Sequence, residues 1–127
     1  MELNRLSNGV IGAAIEVHKT LGPGLLESTY ERCMCHELGL RGLSFERQKK
    51  LPVPYKGMQL DCGYRLDIVV ENAIVIELKS CDKIEDIHRA QLLTYLRISG
   101  FSLGLLLNFN VRVMKDGIVR LVNRFAE

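Results

Sequence analysis

At 127 residues, 47% of them apolar, the chain is expected to form one domain spanning residues 1–127, with a core of two packed layers. Lysine plus arginine exceed aspartate plus glutamate by only 17 to 15, so no global basic field announces a polyanionic partner, and any such partner must be met by a local patch. No apolar run nears the roughly 20 residues of a membrane span and no signal peptide opens the sequence, so a soluble, cytoplasmic protein is expected.

Residues 3–21 place Leu3, Leu6, Val10, Ile11, Ala14, Ile15, Val17 and Leu21 at three- and four-residue steps, the stripe of an amphipathic helix that Gly22-Pro23-Gly24 ends. His18, one step off the stripe, reads as a hydrogen-bonded structural histidine rather than a ligand. A second helix is predicted over 25–40 through Leu26, Tyr30, Met34 and Leu38, with Gly39 and Gly42 as stop signals. Glu27 falls in its first turn, where the helix dipole favours a carboxylate whatever else that residue does. Cys33 and Cys35 with His36 make a poor zinc site because positions i and i+2 on a helix point apart; with Cys62 and Cys81 they read as reduced thiols.

Then the period changes to two. Residues 44–53 and 59–70 read as strands around a turn at Pro52, Pro54 and Lys56-Gly57, and 73–80 as a third strand after a tight connection near Glu71-Asn72. Residues 82–99 return to helical spacing through Ile84, Ile87, Ala90, Leu93, Leu96 and Ile98, closed by Gly100. An apolar run over 101–108 reads as a buried strand, and 111–114 and 118–122 as a β-hairpin around Asp116-Gly117. The order α-α-β-β-β-α-β-β-β implies an α/β (α+β) chain, a mixed central β-sheet flanked by helices. Arg47, Lys49, Lys50 and Lys56, and later Arg112, Lys115, Arg120 and Arg124, are the local basic groups; each alone reads more readily as a solvated edge or loop.

The chemistry concentrates in one hairpin. Asp67 lies inside one apolar strand, and Glu77 and Lys79 inside the next, among Ile68, Val69, Val70, Ile74, Val75, Ile76 and Leu78. Ionisable groups in such company are unfavourable unless they pair or hold an ion. Two carboxylates suit a hard cation such as Mg2+ (or Mn2+), and the adjacent ammonium can steer a water or an anionic oxygen at it, which is chemistry for phosphodiester hydrolysis. Residues two apart on a strand share a face, so Glu77 and Lys79 lie together with Leu78 opposite. Asp67 joins them only if it stands across from Glu77, which predicts an odd-membered loop centred on Asn72. The Leu78 carbonyl oxygen would then be a third ligand. On spacing alone, a plain Asp67/Lys79 or Glu77/Lys79 ion pair capping the sheet is an equal alternative.

Five motifs occur in order over nearly the whole chain: Gly24-Leu-Leu-Glu27-Ser-Thr-Tyr30, the preceding Ile15-Glu-Val-His-Lys-Thr-Leu-Gly-Pro-Gly24, Arg65-Leu-Asp67, Glu77-Leu-Lys79 and Gln91-Leu-Leu-Thr-Tyr95. With them the chain resembles the PD-(D/E)XK nuclease superfamily, of restriction-endonuclease-like fold, and within it the bacterial GxxExxY proteins. The resemblance implies that Asp67 and Glu77 are metal ligands, that Lys79 is the catalytic lysine and that Glu27 completes the site or holds a water on the ion. Gln91 and Tyr95 take the place of the Gln-x-x-x-Tyr motif of RecB-like nucleases; on one helix face, a turn apart, they would orient Lys79 and the substrate backbone. Without the resemblance those two residues read as a helix surface meeting a sheet. The superfamily's Pro-Asp pair stands here as Leu66-Asp67, with the acid kept.

The activity so implied is Mg2+- or Mn2+-dependent nuclease action on DNA or RNA. The competing expectation is a non-catalytic module of the same fold that binds nucleic acid or a protein, which the small net charge and 6% aromatic content also fit. A homodimer would enlarge the binding surface of so small a chain, although no interface is legible in the sequence.

Overall fold

A computed structural model of the chain describes residues 2–124. Helix α1 (Leu3–Leu21) begins where the Glu2 carboxylate accepts from the backbone N–H of Asn4 at 2.9 Å and of Arg5 at 3.2 Å, and it buries Leu6, Val10, Ala13, Ala14 and Val17. Its bounds match the periodic stripe. Helix α2 (Glu27–Leu40) starts two residues later than its apolar pattern, because the preceding loop is held open by its own tyrosine. The Tyr30 hydroxyl donates to the Gly22 carbonyl at 2.5 Å and accepts from the Leu25 N–H at 3.2 Å, while its ring stacks on Phe109. His18 takes the structural role expected of it: Nε2–H donates to the Val111 carbonyl at 2.7 Å.

The two long strands expected over 44–53 and 59–70 each break. They form β1 (Phe45–Lys50) with β2 (Val53–Tyr55), and β3 (Met58–Leu60) with β4 (Arg65–Val70). Pro52 and Pro54 lack N–H donors, and Asp61 bends the chain by accepting from the Gly63 N–H at 3.1 Å, so neither strand can run through. The result is a separate β2-β3 ribbon beside the main sheet. That sheet continues with β5 (Ile74–Lys79), β6 (Leu103–Asn108) and β7 (Ile118–Val122), in the order β1-β4-β5-β6-β7. All neighbours are antiparallel except β5 and β6, which are joined through α3 (Asp86–Ser99).

Helix α3 starts at Asp86 rather than at residue 82, because Glu85 and His88 cap it there; the Glu85 N–H donates to His88 Nδ1 at 3.0 Å. The hairpin expected around Asp116-Gly117 does not form. Met114–Gly117 is a 3₁₀ turn whose Met114 is buried, and β7 pairs instead with β6, Ile118 against Leu107. Burial of Met114 outweighs a strong local turn signal. The order is therefore α-α-β-β-β-β-β-α-β-β, still a mixed sheet between helices. Helices α1 and α2 cover one face over Ile68, Val70, Ile74, Ile76, Leu78, Leu103, Leu105 and Leu107; Leu92 and Leu96 of α3 cover Val69, Val75 and Leu106 on the other. Among the described residues, no helix is long and apolar enough to cross a membrane.

Asn108, at the end of β6, anchors the chain just beyond β5. It lies opposite Lys79, and its amide accepts from the Cys81 N–H at 3.1 Å and donates to the Cys81 carbonyl at 2.9 Å. Its backbone is crowded in turn, because a Cβ on Gly117 would run into the Asn108 carbonyl oxygen. Gly117→Ala is therefore expected to cost about 1–3 kcal/mol and lower the thermal midpoint by roughly 5 °C or more, measured by calorimetry. An unchanged midpoint would show that β7 gives way freely.

Candidate active site

The β4-β5 hairpin turns through residues 71–73, with Glu71 and Asn72 both in the left-handed region at φ 52° and 51°. Val70 pairs with Ile74, Val69 with Val75 and Ile68 with Ile76. The odd loop centred on Asn72 thus forms as expected, and the same register brings Asp67 opposite Glu77. There the ladder stops. The Asp67 N–H donates to Glu77 Oε2 at 3.0 Å, and the Leu78 N–H donates to Asp67 Oδ2 at 2.9 Å, so each acid takes a backbone donor of the other strand. The two carboxyl groups are themselves within hydrogen-bonding reach.

The interruption extends across β1. Arg47 pairs with Ile68 and Lys49 with Leu66, but Gln48, whose register position faces Asp67, is unpaired and has a left-handed backbone at φ 54°. On β4, Leu66 packs on the α3 side, whereas Ile68, two residues on, packs under α1 and α2. The strict alternation assumed from the sequence therefore breaks at Asp67. A regular strand would have aimed Asp67 at α3; instead it lines a cleft of about 260 Å³ with Glu27, Ser28, Glu31, Gln48 and Leu78.

Glu31 and Gln48 join the site although the sequence patterns do not single them out. Glu31 is 5% exposed; Gln48 Nε2–H donates to its Oε1 at 2.5 Å and to Asp67 Oδ1 at 3.4 Å, while Arg47 Nε approaches Glu31 Oε2 at 3.3 Å. A signal for Glu31 did exist, since Glu27 and Glu31 are four apart on one helix face. None existed for Gln48, whose orientation depends on a left-handed residue that no strand period contains.

Glu77 is 6% exposed, and burial, then the neighbouring Asp67, pushes its carboxyl up to about 9. Lys79 is half-buried and makes no ion pair among the described residues, yet its charge reaches Glu77. A plain Lys79 ion pair is thus not what the row forms. Tyr95 lies half-buried on α3; burial, then the charge of Glu77, pushes its hydroxyl up, so it remains a neutral donor beside the acids. Gln91, a turn away, is exposed, and Glu27 sits exposed on the cleft rim.

Among the described residues, no three His, Cys, Asp or Glu side chains converge on one point. Glu31 is engaged by Gln48 and Arg47, which leaves Asp67, Glu77, backbone oxygen and, on the rim, Glu27 as oxygen donors. A sparse, all-oxygen set with room for water fits a small hard divalent ion, and such an ion would take the place of the proton on Glu77.

A protein-family model described as the PD-(D/E)XK nuclease superfamily matches residues 4–121. No curated protein and no solved structure matches the chain.

Burial of Glu77 makes stability depend on pH in a definite direction. Its folded value of about 9 lies above the ordinary 4.5, so unfolding releases a proton; the stabilisation is complete below the ordinary value and is lost as pH rises through about 9. Metal-free protein is expected to weaken between about pH 5 and pH 9, by the order of 1 kcal/mol per pH unit at the steepest, and Glu77→Gln to flatten that slope. Denaturant unfolding across pH measures both, and parallel slopes would place Glu77 in a wetter setting.

Proposed function

The chain belongs to the PD-(D/E)XK nuclease superfamily, and from that membership we propose that it is a divalent-metal-dependent nuclease hydrolysing nucleic-acid phosphodiester bonds. The observation that carries this reading is the reciprocal bonding of Asp67 and Glu77, which holds two acids on adjacent strands without an ion pair to a cation of the chain among the described residues, Asp67 lining the cleft and Glu77 buried behind it.

In this reading Asp67, Glu77 and the Leu78 carbonyl oxygen hold Mg2+ or Mn2+. The bound ion lowers the pKa of water and neutralises charge on the phosphoryl oxygens. Lys79 orients the attacking water or stabilises the developing negative charge. Gln48 holds one Asp67 oxygen while Leu78 holds the other, so the carboxylate cannot rotate away from Glu77. Glu27, on the rim, holds a water at the entrance, and Tyr95, neutral beside the acids, orients Lys79 with Gln91 toward the substrate backbone.

Asp67→Ala and Lys79→Met are each expected to lower Mg2+- or Mn2+-dependent cleavage by about 100-fold or more while the fold is kept, and Asp67→Ala alone to abolish calorimetric ion binding. Folded wild-type protein that binds nucleic acid but cuts no single-stranded, double-stranded or structured form with either ion would sink hydrolysis and leave the binding-only module.

A further inference from the structure

The β2-β3 ribbon stands outside the five-stranded sheet, and its side chains sort by face. Tyr55 pairs with Met58 and Val53 with Leu60, so these four share one side, with Pro54 and Gln59 on the other. Tyr55 and Met58 are 60% and 62% exposed. A lone two-stranded ribbon is marginal in water, and an uncovered apolar face on one calls for an occupant.

The ribbon is built as a fixed arm. Its turn has Lys56 and Gly57 both left-handed, at φ 46° and 85°, a tight hairpin geometry that a lysine rarely adopts and that here sets the ammonium 5.3 Å from the centre of the Tyr55 ring. At its base, the Leu51 N–H donates to the Tyr64 carbonyl at 3.0 Å, and Leu51 and Leu66 are buried. The arm therefore grows from the two strands that carry Gln48 and Asp67. Exposed Tyr64 meets Tyr95 edge-on, ring centres 6.0 Å apart, next to the acidic row.

Charge identifies the occupant. Residues 47–65 hold Arg47, Lys49, Lys50, Lys56 and Arg65 against Asp61 alone, leaving twelve basic and fourteen acidic residues elsewhere. Lys50 and Lys56 form no ion pair among the described residues. A second copy of the chain would set two such cationic arms against each other. A closed duplex hides the π-faces that tyrosines stack on, whereas unpaired bases offer them and bring phosphates for the lysines.

We propose that the β2-β3 ribbon is an arm that binds an unpaired nucleic-acid strand, with bases stacked on Tyr55 and Tyr64 and phosphates taken by Lys50 and Lys56. The proposal rests on the nuclease reading only for delivery of the strand to the Asp67/Glu77 row; binding itself needs neither acid.

Fluorescence anisotropy of short labelled oligonucleotides, DNA and RNA, single-stranded and annealed, tests this with the full chain in chelator, so that cleavage plays no part. Single strands are expected to bind more tightly than duplex. Tyr55→Ala weakens them about tenfold and Tyr55→Phe restores the wild-type affinity, because the stacking face returns. Lys56→Gln lowers the slope of log affinity against log salt by about 0.7, one phosphate contact on a single strand. Circular dichroism confirms that each variant is folded. Unchanged affinity in Tyr55→Ala, preference for duplex, or a Tyr55→Ala variant that only loses self-association in sedimentation each overturns the arm. Binding without metal-dependent cleavage upholds the arm and removes the nuclease reading; cleavage with KM and affinity untouched by Tyr55→Ala does the reverse.

Discussion

Two carboxyl groups held side by side in the middle of a sheet are the constraint around which the rest of this structure is arranged. At the Asp67/Glu77 row a ladder hydrogen bond is absent, and a buried strand cannot leave its N–H groups unpaired without losing roughly 1–3 kcal/mol for each. The acids resolve this themselves: the Asp67 N–H goes to Glu77 and the Leu78 N–H to Asp67. The arrangement satisfies the backbone while leaving the acidic pair without a cation of its own. The candidate active site and a strand defect are here the same object.

Neighbouring elements keep that defect from closing. Gln48 takes a left-handed backbone, lets β1 skip the row, and spends its amide on Glu31 and Asp67. Arg47 pairs with Glu31, so that buried acid of the cleft is already engaged by a cation of the chain. Tyr30 ties down the loop before α2 and so sets Glu27 on the rim, and the Ser80 hydroxyl, just past Lys79, donates to the Leu25 carbonyl of that loop at 2.7 Å. Asn108 anchors the chain beyond Lys79 from the adjacent strand. Apart from the local Tyr30 bonds, these polar contacts join segments distant in sequence, and they place fixed dipoles around the acids.

Burial supplies the energetic context. The sheet is covered by α1 and α2 on one face and α3 on the other, so Glu77 sits at low exposure while Asp67 reaches the cleft. Burial, then the neighbouring Asp67, keeps the Glu77 carboxyl well above its ordinary value. Tyr95, on the dry side, links this row through Tyr64 to the basic ribbon, which makes the α3 side continuous with the surface that carries the local positive charge.

The amino-acid sequence by itself determined the three helices, the strands of the main sheet, the bounds of α1, the Glu77-x-Lys79 spacing, the odd loop at Asn72 and the structural role of His18. These come from periods and turn chemistry that act within a few residues of one chain segment. What only the tertiary structure decided was the flip of Asp67 toward α2, the entry of Glu31 and Gln48, the detachment of the β2-β3 ribbon, and the pairing of β7 with β6 in place of a local hairpin. A period states which way a side chain points if its strand is regular; whether the strand stays regular depends on donors, acids and apolar volume brought in from two neighbours at once, and nothing in a single segment encodes that sum.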